Sequence, residues 1–155
     1  MGIVIRKPRT QKSTSPSGGS YQWVKLTWNL PADGLCQINE IKVNDSSPQS
    51  VYASSQYDAS TFKTANAIDA DTGTTWSSAS GNEGDPVWIA VKMSTSQAVA
   101  KYAYYPRTNN VTLAPSGFSL YGSNDSTNGS DGTWTLIASG LTRSDNTVRW
   151  HEWTL

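Results

Sequence analysis

Beyond residue 20 the chain never sustains an apolar rhythm of 3.6 residues. It runs instead in short β-rich segments separated by Gly, Asn, Asp and Ser. That combination confines it to an all-β sandwich or barrel. In Tyr21–Trp28 the alternation puts Val24, Leu26 and Trp28 on one face and Trp23, Lys25 and Thr27 on the other. Pro86–Met93 turns Val87, Ile89, Val91 and Met93 inward, whereas residues 38–43 carry apolar side chains on parts of both faces. Further strands are expected at Ala98–Tyr105, Phe118–Tyr121, Trp134–Ile137 and Val148–Leu155. The 7 Trp and 7 Tyr are expected to furnish most of the core, because aromatic rings have large apolar areas to bury.

Charge divides the chain in two. Residues 1–20 hold Arg6, Lys7, Arg9 and Lys12 with no acid, leaving residues 21–155 with 8 basic and 12 acidic side chains. An acidic domain is poorly suited to tracking nucleic-acid phosphates, so no nucleic-acid partner is expected. Residues 1–20 read as a basic arm closed by a Ser/Gly linker. Ile3, Val4 and Ile5, followed by Arg6, Lys7 and Arg9, form a segment suited to docking on other subunits of an assembly. No apolar run is long enough for a membrane span or for the core of a signal peptide. Cys36 stands alone, which rules out an intrachain disulfide and a cysteine zinc site and leaves it as a small buried side chain. His151 is the one histidine, and no paired carboxylates sit in a hydrolase pattern, so no enzyme activity is expected.

The most informative segment is Asn66-Ala67-Ile68-Asp69-Ala70-Asp71-Thr72-Gly73-Thr74-Thr75-Trp76. Carboxylate, hydroxyl and carbonyl oxygens on a tightly curved backbone suit a hard cation, and a plain turn anchored by Trp76 is the competing reading. An EF-hand is excluded, since its bidentate Glu would fall at Ser80. With Val51-Tyr52-Ala53-Ser54-Ser55 before it, and Val87–Val91, Tyr104–Arg107, Phe118–Asp125 and Trp134–Ile137 after it, the segment resembles the discoidin, or coagulation factor C, domain. Family-32 carbohydrate-binding modules share that fold.

The resemblance spans about residues 21–155 and implies an eight-stranded jelly-roll β-sandwich (galactose-binding-domain-like) that binds ligands through loops without catalysis. It also implies a structural calcium ion, with Asn39, Glu40, Asn66, Asp69, Asp71 and Thr74 as the candidate ligand residues. In the family the Glu follows the loop in a last strand, whereas Ile38-Asn39-Glu40-Ile41-Lys42-Val43 precedes it here. The chain therefore reads as a circular permutant with its last two strands moved to the front, or as a swap in which residues 21–43 complete a neighbour.

Sugar-binding relatives use an Arg and an Asn after the Tyr-Pro strand, matched by Arg107 with Asn110 or Asn109. A surface ion pair from Arg107 to Asp85 or Glu83 is the plain alternative. The relatives' His falls at Ser77 or Ser78, and Pro31–Gln37 lacks an aromatic platform. Tyr105 and Trp153 are possible substitutes for that platform. Two roles follow: a structural or host-recognition component of an assembly such as a phage particle, or a secreted lectin-like module for cell-surface glycan. A virion or extracellular surface is the matching location.

Overall fold

The computed structural model describes residues 18–155, so the arm residues Ile3 to Arg9 lie outside the described residues. Two antiparallel sheets face each other. The first holds β1 (Ser20–Asn29), β3 (Ser50–Ala53), β5 (Pro86–Ala98), β7 (Gly117–Ser123) and β8 (Thr135–Thr142) in the order β3-β5-β1-β7-β8. The second holds β2 (Gln37–Val43), β4 (Trp76–Ser77), β6 (Lys101–Pro106) and β9 (His151–Thr154) in the order β4-β2-β6-β9. Eight strands have four or more residues, and β4 is a two-residue addition.

The inward residues follow the alternation. Val24, Leu26, Trp28, Val87, Ile89, Val91 and Met93 meet Ile38, Ile41, Val43, Tyr102 and Tyr104 across the sandwich, all buried. At roughly 25 cal/mol per Å² of apolar area removed from water, this layer supplies most of the driving force for folding.

Aromatic rings do less of this than expected. Of the tryptophans only Trp28 and Trp76 belong to the buried cluster, with Trp153 packed against it. The others sit on the outer faces, each with a lysine near its ring: Lys25 lies 3.7 Å from the Trp134 ring and 5.4 Å from Trp88, Lys42 lies 4.3 Å from Trp150, and Lys92 lies 5.6 Å from Trp23. An amphipathic ring under an ammonium is satisfied at the surface, so it need not be buried in the core. Trp23, on the outward face of β1, is nonetheless buried against Tyr52 and Lys92.

Residues 20–43 are built into both sheets of their own chain. β1 lies between β5 and β7, and β2 lies between β4 and β6. This is the permuted arrangement, and the sandwich closes without a neighbour. Its chain crossings gather at one pole. Ser20 is opposite Ala98, Leu155 N–H donates to the Ala100 carbonyl, and Asn44 N–H donates to the Lys101 carbonyl. Asn44 fixes that pole: its Nδ2 donates to Ala98 O and Gln97 Oε1, and its Oδ1 accepts from Ala100 and Lys101 N–H. Ala98 closes β5, so the strand expected from Ala98 begins instead at Lys101.

Candidate functional site

The Asn66–Trp76 loop hangs on its two ends. Trp76 is fully buried, its ring edge-on to Trp28 and its Nε1 donating to the Ser55 carbonyl. At the other end Asn66 Nδ2 spans the loop to the Thr61 and Thr75 carbonyls. Asn39, on β2, donates to Thr72 O at 2.6 Å and accepts from the Thr75 hydroxyl at 2.8 Å. The side chains of Asn39 and Asn66 are thus occupied in holding the loop's shape.

Inside that frame Ala70 takes a left-handed φ of 66°, uncommon for a residue with a Cβ. Its N–H donates to Glu40 Oε1 at 2.7 Å. Asp69 accepts from Asp71 N–H through Oδ1 and from the Thr74 hydroxyl through Oδ2 at 2.8 Å. Asp71 uses its carboxylate on Gly73 N–H and its carbonyl on the Thr74 hydroxyl.

Glu40 and Asp69 are thereby brought side by side. Glu40 is only 2% exposed. Burial, then the neighbouring Asp69, pushes its carboxyl up to about 7. Among the described residues the ion pairs are Lys101 with Asp45 and Glu152, and Arg149 with Asp145; no cation side chain answers Glu40. Among the described residues no third Asp, Glu, His or Cys joins the pair either. The remaining donors are hydroxyl and carbonyl oxygens, the hard set that calcium takes. The residues present fit that ion: Glu40 and Asp69 by carboxylate, Thr74 by hydroxyl, Asp71 by carbonyl.

Thr74 also faces a second feature, a cleft of about 290 Å³ lined by Thr61, Phe62, Thr74, Arg107 and Asn109 among others. Arg107 forms no ion pair with Asp85 or Glu83. Its Nη1 donates to Gln37 Oε1 at 3.0 Å, and its guanidinium carbon lies 5.1 Å from the Phe62 ring. Asn110 does not line the cleft; its Oδ1 accepts from the Thr112 hydroxyl as the chain enters a 3₁₀ turn.

Ser77 and Ser78 are sealed inside, Ser78 Oγ accepting from Cys36 N–H. Trp153 is packed on Phe118 with ring centroids 4.7 Å apart, and Tyr105 stacks edge-on with Trp150, so neither serves as a platform in this cleft. His151 is buried, with its Nε2 3.0 Å from the Thr147 carbonyl.

The aromatic surface at the cleft comes from a loop that sequence reasoning passed over. Tyr57 is 55% exposed and stands edge-on to Phe62 at 5.8 Å. Asp58 gathers the N–H groups of Ser60, Thr61 and Phe62, which hold its carboxyl below the usual carboxylate range and fix Phe62 beside Arg107. Two aromatics in an otherwise polar loop were the available signal.

The family model for the F5/8 type C domain matches residues 50–155, about two thirds of the chain. The chain belongs to the F5/8 type C family. Domains of this family are non-catalytic binding modules, often for carbohydrate, and typically lie outside the cell or at a surface. The match opens at β3, so β1 and β2 lie ahead of the matched residues while belonging to the same two sheets. No curated protein and no solved structure matches the chain. Among the described residues, no helix is long and apolar enough to cross a membrane.

Proposed function

We propose that this F5/8 type C domain is a calcium-stabilised module that binds a glycan in the cleft beside Arg107, at a virion or extracellular surface. The observation that carries the reading is the sharing of Thr74. Its hydroxyl joins the Asp69–Glu40 set, and the residue also lines the cleft with Phe62 and Arg107. Calcium, when bound, would supply the positive charge that the Glu40 and Asp69 carboxylates lack. The chain's own part is to hold the loop so that Thr74, Phe62 and Arg107 keep their relative places. Arg107 is oriented by Gln37 and offers its other N–H groups to hydroxyls, Asn109 adds an amide that both donates and accepts, and Phe62 adds an apolar face.

Binding to a printed glycan array, with and without calcium, tests this. Arg107→Ala and Phe62→Ala are expected to abolish the array signal while leaving the melting temperature unchanged, and calcium removal is expected to weaken it. A signal indifferent to all three changes refutes the reading. The arm supports a role as a decoration or host-recognition subunit of an assembly such as a phage particle. Deleting residues 1–12 should leave the melt unchanged and remove the protein from its assembly, and salt should weaken the docking of the intact chain. A truncated chain that still assembles refutes that role.

A further inference from the structure

We propose that the outer face of the five-stranded sheet, at its Asn29–Pro86 end, is a second binding site, and that its ligand is a neutral saccharide. A cleft of about 480 Å³ opens there across the ends of β5, β1 and β7 and reaches Gly140 of β8. That volume lies in the ordinary range for small-ligand sites. Trp88, Thr27 and Ser119 form one cross-strand row, since Thr27 is opposite Trp88 on one side and Ser119 on the other. Their neighbours Val87, Ile89, Leu26, Trp28, Phe118 and Leu120 point into the core, so this row faces outward. A tryptophan wall therefore adjoins two hydroxyls, with Asn29 at the edge.

The row is open. A Cβ built at Gly117 or Gly140 meets nothing within 4 Å. Among the described residues the side chains of Thr27, Asn29 and Ser119 make no hydrogen bond. The hydroxyls and amides of the Asp58 and Asp131 loops, by contrast, are bonded to their own turns. Unspent groups that both donate and accept, beside an aromatic face, match a sugar's hydroxyls and its C–H face.

Charge excludes other ligands. No Asp, Glu, Lys or Arg lines the cleft, and Lys25, the nearest cation to Trp88, is committed to the Gly129 carbonyl and the Trp134 ring. An anionic polymer would find no counter-charge. A peptide adding as a strand would need an unpaired edge, and β5, β1 and β7 are each paired on both sides. The site does not share residues with the Arg107 cleft, so the two can be tested apart.

Calorimetric titration of the full chain with cellotetraose, xylotetraose, mannotetraose and β-1,4-galactotetraose, and with tetragalacturonate as the charged counterpart, decides the matter. At least one neutral tetraose is expected to bind, with tetragalacturonate bound more weakly. Gly117→Leu, whose Cβ meets no atom within 4 Å, puts an apolar side chain into the cleft and should weaken that binding at least tenfold. Thr27→Val should weaken it several-fold, with both substitutions read in an Arg107→Ala background so that the other cleft contributes nothing. Should Gly117→Leu melt early, Thr27→Val carries the decision. The proposal is overturned if no neutral tetraose binds, if binding survives both cleft substitutions, or if Arg107→Ala alone removes it, an outcome that assigns the sugar to the other cleft.

Discussion

Removing the calcium that Glu40 and Asp69 are proposed to share should make the fold sensitive to pH in an uncommon direction. A carboxyl moved from 4.5 to about 7 by burial and by its neighbour Asp69 holds its proton more tightly in the folded chain by about 3 kcal/mol. Because the folded value is the higher one, protonation favours folding. The contribution is complete below pH 4.5, declines between 4.5 and 7, and is gone above 7. Metal-free protein should therefore melt on the order of 10 °C lower at pH 7.5 than at pH 4.5, as far as Glu40 is concerned. Calcium bound to the folded chain would favour the ionised carboxylate, so adding it should restore stability most strongly at pH 7.5. Glu40→Gln separates this from other titrations. The amide oxygen still accepts from Ala70 N–H, the buried charge is gone, and the variant should melt above the parent in metal-free buffer at pH 7.5. The same variant should lose its response to calcium. Calorimetric melts of parent and variant across pH 4.5–8, with and without calcium, provide the measurement. A metal-free parent whose melt does not fall relative to Glu40→Gln as pH rises, or a parent indifferent to calcium at pH 7.5, would refute the reasoning.

Joining Leu155 to Ser20 through a short linker and opening the chain between Ser47 and Pro48 should give a folded domain with unchanged circular dichroism, because both junctions lie at one pole; an unfolded product would show that the order of synthesis matters. Leu26→Asp puts an unpaired carboxylate into the fully buried layer and should cost more than about 4 kcal/mol, unfolding the whole domain in urea titration rather than loosening one strand. Asn44→Ala removes a side chain that makes four hydrogen bonds from a left-handed backbone position, and a loss of about 2–4 kcal/mol by urea unfolding is expected; a change below 0.5 kcal/mol would contradict that role.

The inward faces of β1 and β5 were legible because strict alternation has one physical reading when a sheet is covered on one side. The loop and its partner Glu40 were legible only through the family resemblance: oxygen chemistry on a curved backbone left a plain turn open, and the family's strand pattern, found out of order at Ile38–Val43, showed where the partner had gone. The outer faces were not legible. Trp88, Trp134 and Trp150 look like core residues in a sequence, and only the three-dimensional arrangement shows Lys25 and Lys42 capping them. The choice between Asn109 and Asn110 was equally hidden, since it turns on the 3₁₀ turn that takes Asn110 away from the cleft. Tyr57 and Phe62 escaped notice because a loop's aromatic residues acquire meaning only from what the fold sets beside them.

The pole where Ser20 and Leu155 meet stands at the far end of β1 from Asn29, Pro86 and Arg107, about 30 Å away for a ten-residue strand. Whatever is fused or tethered at either end of the sandwich is thus held behind the two clefts. Copies mounted side by side would all present their clefts forward, with none shielded by its own attachment. For weak individual contacts this matters more than any one hydrogen bond, because simultaneous engagement multiplies affinity only when geometry permits every copy to reach the same surface.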